Sequence, residues 1–170
     1  MSTRYYAGIG SRSTPPAMLA VMKRVAERLD ARGFTLRSGG AQGADQAFAS
    51  GSTRSAIYIP WPGFAEGGYV APVSDEAVAI ASAAHPAWDR CSMAARKLHV
   101  RNVYQVLGTD LRTPSEFIVC WTEGGSGSGG TGQAIRIAKA RGIPVFDLGF
   151  GCRKVLAALA LYLDLLDVAK

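Results

Sequence analysis

Cysteine is scarce in this chain. The three present (Cys91, Cys120, Cys152) are an odd number at no paired spacing, which excludes a disulfide framework and reads as reduced thiols in the cytoplasm. Histidine is scarcer, with two residues and no cysteine at ligand spacing from either, so no metal site and no metal cofactor are expected. No apolar run reaches the roughly 18 residues that span a bilayer, and no membrane partner is expected. Polar Ser2, Thr3 and Arg4 lead straight into a strand pattern, so no secretory leader is expected. Two nucleotide fingerprints are also missing. There is no Gly-x-x-x-x-Gly-Lys-Ser/Thr loop and no Gly-x-Gly-x-x-Gly after the first strand, which argues against a P-loop NTPase and a dinucleotide dehydrogenase. Nor is there a Ser-His-Asp arrangement, since His85 and His99 lie on or beside helices.

What remains is 48% hydrophobic and 19% charged over 170 residues, an ordinary globular composition that reads as one domain covering 1–170. The net charge of +6 favours anionic partners. Short strand patterns alternate with helical ones. Tyr5–Ile9 is followed by a helix to about Arg32, with Thr14 as N-cap, Pro15 at the first helical position and Gly33 closing the end. Met18, Met22, Val25 and Leu29 make its apolar stripe. Phe34–Arg37 and Ser55–Pro60 are strands, with a short helix Asp45–Ser50 between them, and Trp61–Pro72 is a loop. Helices follow at Ser74–Ala84 and Asp89–Leu107. Glu116–Trp121 is a strand apolar on both faces. A helix at Thr131–Arg141, a strand at Gly142–Leu148 and a closing helix at Cys152–Val168 complete the chain. The alternation predicts an α/β fold with a parallel sheet of about five strands and helices on both faces.

In such a sheet ligands sit beyond the carboxyl ends of the strands, where strand order reverses. Three glycine-containing loops leave predicted strand ends. Gly10-Ser11-Arg12 follows the first. Ser38-Gly39-Gly40-Ala41-Gln42-Gly43-Ala44-Asp45 follows the second and runs into a helix. Gly129-Gly130-Thr131-Gly132 ends the third, with Thr131 as the expected helix N-cap. Glycines where a backbone approaches a ligand, joined to a helix N-terminus, suit phosphate. Arg12 is a candidate phosphate fork. Ser38 either donates to phosphate or caps its turn, and Asp45 suits either a ribose hydroxyl or plain N-capping. On the Asp89–Leu107 helix, Arg90, Lys97, Arg101 and Gln105 share an arc, read as a solvated face or as a basic rim beside the site. Trp88 is either a base-stacking residue or a buried one. Gly124–Gly130 is either a merely flexible run or a mobile lid.

These turns, with Arg101-Asn102, resemble the SLOG superfamily over roughly residues 5–148, and within it the Rossmann-like domain of the DNA-processing protein A family. Ser-Gly-Gly-Ala-x-Gly-x-Asp is the most specific piece. The resemblance implies a modified Rossmann sheet, nucleotide or single-stranded DNA phosphate held at Gly10, Ser11, Arg12, Ser38, Gly39, Gly40, Ala41, Gly43, Asp45, Arg101, Asn102, Gly129, Gly130, Thr131 and Gly132, and a homodimer. The winged C-terminal domain of many such homologues is not expected. It is more distantly similar to the Lonely Guy phosphoribohydrolases, whose loop continues Gly-Thr-x-x-Glu. Here Gln133, Ala134, Ile135 and Arg136 follow Thr131-Gly132, and no carboxylate falls in the glutamate's place. Asp45 and Glu123 are the substitutes for an acid–base group. Three functions follow: a nucleotide-binding protein that senses or sequesters its ligand, a single-stranded DNA-binding mediator, and an N-glycosidic hydrolase of a nucleoside monophosphate.

Overall fold

The computed structural model describes residues 3–168. Strand β1 (Arg4–Gly8) leads to helix α1 (Pro16–Ala31), β2 (Phe34–Ser38), α2 (Ala44–Ser50), β3 (Ser55–Ile59) and β4 (Tyr69–Val70). Helices α3 (Asp75–Ala83) and α4 (Met93–Leu107) come next, then β5 (Ile118–Cys120), α5 (Gly129–Ala140), β6 (Val145–Asp147) and α6 (Cys152–Val168). The strands form one sheet in the order β4-β3-β2-β1-β5-β6, and every pairing is parallel. The expected Rossmann-like α/β architecture is therefore present.

Side-chain alternation along the strands divides the core into two layers. Tyr6, Phe117 and Val119 join Met22, Leu29, Phe48 and Leu159 in the layer under α1, α2 and α6. Ala7 and Ile118 face the other way, onto Val100, Val103, Ala134 and Ile137 beneath α3, α4 and α5. Four rings surround Phe117: Phe34 at 5.3 Å, Tyr162 at 5.7 Å, Tyr6 at 5.9 Å and Phe146 at 6.0 Å between centroids. Among the described residues, no helix is long and apolar enough to cross a membrane.

Local structure departs from expectation at four places. The sheet has a sixth strand inside the Trp61–Pro72 loop: β4 is two residues long, too short to show a period, and Tyr69 meets Tyr58 on β3 edge to face at 6.2 Å. Helix α1 starts one residue late. Thr14 donates its hydroxyl to the Ser11 carbonyl (2.7 Å), so it closes the preceding turn, while Pro15 is the N-cap and Pro16 takes the first helical position. The long helix from Asp89 is two pieces. A 3-10 turn spans Trp88–Arg90, and Ser92 then caps α4 by accepting from the Ala95 N–H at 3.2 Å. A serine hydroxyl competes with helix backbone in the interior and satisfies it at the start. Finally, α5 begins before Thr131, because the Gly132 N–H already reaches the Ser128 carbonyl (3.1 Å) and Ser128 is the N-cap.

The chain adds β2, β3 and β4 on one side of β1, then returns to lay β5 on the other. Strand order thus reverses between β1 and β5, and a crevice opens there above the strand ends. In register, Gly8 stands level with Val119, and Ala7 with Arg37, so the loops after β1, β2 and β5 leave the sheet at one height.

Candidate functional site

A cavity of about 510 Å³ occupies this crevice. Its wall takes Gly10, Ser11 and Arg12 from the loop after β1, Ala41 and Asp45 from the turn after β2, and Trp121, Thr122 and Glu123 from the end of β5. The first turn of α5 gives Gly129, Gly130 and Thr131, and α4 adds His99, Arg101, Asn102 and Gln105. The three predicted loops are thus brought together. Ser38, Gly39, Gly40, Gly43 and Gly132 are not on the wall, and each has a structural task nearby.

Ser38 is fully buried, and its hydroxyl donates to the Gly8 carbonyl at 2.7 Å, which pins β2 to β1 and leaves nothing for a phosphate. Gly43 has φ +85°, and a Cβ there would stand 3.0 Å from the Ser11 and Arg12 carbonyl oxygens. The first two loops pack backbone to backbone at that point. Gly39 is required by close approach: a Cβ would overlap the Arg101 guanidinium at 1.4 Å. Gly40 lies against Ala65, and Gly132 against the Gly127 carbonyl.

Asp45 does not cap α2, whose N-cap is Gly43. Its carboxylate turns back to accept from the Ala41 N–H (3.1 Å) and from Arg101 Nη1 (3.4 Å). Burial pushes the Asp45 carboxyl above its ordinary range while Arg101 pulls it down. Burial likewise lowers the Arg101 pKa against the pull of Asp45. Neither charge is tolerable there without the other.

The arc of Arg90, Lys97, Arg101 and Gln105 is neither a solvated face nor a basic rim as a whole. Arg101 and Gln105 are buried, at 6% and 1% exposure, whereas Arg90 and Lys97 lie outside. With its amide oriented to satisfy its neighbours, Gln105 donates to Asn102 Oδ1 (3.0 Å) and accepts from Arg101 Nη1 (3.0 Å) and the Gly39 N–H (2.5 Å). Asn102 Nδ2 donates to the Gly130 carbonyl (3.1 Å) and to Gln133 Oε1 (3.0 Å), and Gln133 Nε2 donates to the Ala81 carbonyl (3.1 Å). A polar chain therefore runs under the cavity floor from Asp45 to Gln133. Arg101 ties down the turn after β2, and its neighbour Asn102 ties down the first turn of α5.

The glycine-rich loop after β5 is braced rather than slack. Asp147 of β6 accepts from the Thr122 N–H (2.9 Å) and the Gly149 N–H (3.0 Å), and also from the Thr122 hydroxyl. Thr122 Oγ1 in turn accepts from the Gly127 N–H at 3.0 Å. This brings Glu123 onto the wall. Asp147 lies beyond any motif in the sequence, so its part in shaping the loop was not readable there.

Two lining residues stand out because they are uncommitted. Arg12 is exposed and makes no hydrogen bond or ion pair with any described residue. Glu123 is exposed in the same way. The leading N–H groups of α5, which line the same cavity, have no intrahelical acceptor. Trp88, considered for base stacking, instead packs against the core under α3 to α5, and Trp121 is the tryptophan on the cavity wall. His99 lines the cavity as well, its pKa lowered by burial and by the adjacent His85 ring. The sequence shows no cysteine at ligand spacing from either histidine, yet in space Cys91 Sγ lies 3.8 Å from His85 Nδ1 and Nε2.

The solved structures include a chain similar in fold, described as showing the single-stranded DNA binding mode of DNA processing protein A from Helicobacter pylori. The similarity covers 86% of this chain and 65% of that one, with a TM-score of 0.55 and 15% sequence identity. The two chains share a fold. No family model and no curated protein matches this sequence. The expected likeness to the Rossmann-like domain of DNA processing protein A therefore holds at the level of architecture, and this chain spans just under two thirds of that protein's length.

Proposed function

We propose that the cavity binds a phosphate-bearing nucleotide, with phosphate at Arg12 and the first turn of α5 and the base against Trp121. The observation that carries this is Arg12, an exposed cation without a partner among the described residues, on the same wall as the open helix N-terminus of Gly129–Thr131. An unpaired guanidinium and free backbone N–H groups together suit an oxyanion. The volume of about 510 Å³ falls in the range of small-molecule sites. Binding without turnover fits a protein that senses or sequesters a nucleotide. Thermal-shift assays of the purified chain with AMP, ADP-ribose, NAD and cyclic nucleotides test it: a shift that disappears in Arg12→Ala is expected, and no shift with any of them removes the proposal.

A second reading, single-stranded DNA as the partner, is favoured by the fold shared with a DNA-binding chain and by the net charge of +6. In that case the strand's phosphates take the place of the free nucleotide at Arg12. Anisotropy of a labelled oligonucleotide should then fall steeply with added salt as counterions are released. Displacement of the oligonucleotide by mononucleotide places both in one cavity; no binding at low salt rejects this reading. A homodimer would draw on exposed Leu161 and Leu165 of α6, and light scattering decides it.

A further inference from the structure

Beside the cavity, the connector between α3 and α4 folds back so that His85 and Cys91 meet His99, one and a half turns into α4. The His85 and His99 rings are 4.3 Å apart between centroids. Cys91 Sγ is 3.8 Å from both His85 ring nitrogens, and one ligand atom from each of the three residues lies within 4.8 Å of the others. Tetrahedral zinc with bonds of about 2.0–2.3 Å places its ligand atoms roughly 3.3–3.6 Å apart. The three side chains therefore need to close by at most about 1.5 Å.

The second observation is the state of His99. Its Nδ1 is buried and has no hydrogen-bond partner, an uncommon condition that calls for an explanation. Gln133 lies beside the ring. Gln133 is itself fully buried and fixed by Asn102 and the Ala81 carbonyl. A bare, buried imidazole nitrogen beside a thiol and a second imidazole has the makeup of a metal ligand. The connector is anchored on both flanks, by Arg136 to the Ala84 carbonyl (2.6 Å) and by Arg96 to the Trp88 carbonyl (3.4 Å).

We propose that His85, Cys91 and His99 bind a divalent transition-metal ion of the zinc type, with the fourth coordination position open. Two imidazoles and a thiolate select zinc, cobalt, nickel or copper over magnesium and calcium, which take oxygen ligands. His85 Nδ1 accepts from the Ala87 N–H at 3.1 Å, and the ion takes over that lone pair. Because His99 also lines the cavity, the ion joins the connector to the cavity wall. Metal binding here does not require a ligand in the cavity.

Cobalt(II) added to chelator-treated, reduced full-length protein tests this directly. The expected result is one equivalent bound, with the intense visible bands of a four-coordinate ion and a near-ultraviolet thiolate-to-cobalt band that zinc abolishes. In Cys91→Ser the thiolate band is lost. Zinc should also slow alkylation of Cys91 by iodoacetamide at least tenfold, read by peptide mass spectrometry, while half-exposed Cys152 is unprotected; this needs no variant. Equal alkylation of Cys91 with and without zinc, a thiolate band that survives in folded Cys91→Ser, or cobalt spectra of an octahedral aquo ion would each overturn the assignment.

Discussion

Arg101 and Asp45 form a buried ion pair, with Nη1 3.4 Å from Oδ2 and side chains 7% and 3% exposed. The guanidinium lies where a side chain on residue 39 would be, so the glycine and the ion pair are one device.

Removing either partner strands a charge in a dry site, which costs about 3–5 kcal/mol. Arg101→Met and Asp45→Asn should each lower the urea midpoint accordingly. Gly39→Ala should cost a comparable amount by displacing the guanidinium. The double variant Gly39→Ala/Arg101→Ala should lose clearly less than the sum, because the second change removes what the first collides with. Additive losses would show that the contact is not shared.

Arg12→Ala should leave stability within about 0.5 kcal/mol, as its exposed side chain makes no hydrogen bond or ion pair with any described residue. Affinity for a phosphate-bearing ligand should fall about 10- to 100-fold, the worth of a charged hydrogen bond. Isothermal titration measures the second quantity and thermal melting the first.

Glu123 is the lining carboxylate without a partner among the described residues, Asp45 being committed to Arg101 and Ala41. Any release of free base from a nucleoside monophosphate should therefore disappear in Glu123→Gln. Nucleotide affinity should change little. Base release that persists in this variant would place the chemistry elsewhere.

Asp110 caps its own turn, accepting from the Arg112 N–H (3.0 Å), the Thr113 N–H (2.9 Å) and the Thr113 hydroxyl (2.7 Å). These bonds favour the ionised form and lower its pKa to about 2. A pKa depressed on folding gives stability that is fully present above the unfolded value of about 3.9 and is lost as pH falls toward 2. The carboxyl carbon of Asp110 should titrate near pH 2 by NMR. Asp110→Asn should flatten the acid limb of the stability profile in this range.

Phe117, at the centre of four aromatic rings and fully buried, should cost about 3–5 kcal/mol when cut to alanine. Phe117→Leu should cost less, and denaturant unfolding ranks the two.

The architecture was readable because it is local. Strand and helix patterns alternate, and glycines mark the loops where strands end. What escaped reading is what depends on distant chain. Helical periodicity grouped Arg101 with Arg90 and Lys97, but only the bare backbone of Gly39, far away in sequence, makes room for Arg101 to turn inward. Spacing gave no cause to join Cys91 to the histidines, since the bend that unites them comes from the break at Ser92 that separates α4 from the preceding 3-10 turn. Asp147 shapes a loop from the next strand over, and a two-residue strand such as β4 is too brief to leave a pattern.

Arg101 and Asn102 are joined by one peptide bond, yet each holds a different wall of the cavity. The two walls therefore hang from a single lever. Any displacement of that stretch of α4 is passed to the Ser38–Asp45 turn and to the head of α5 at once.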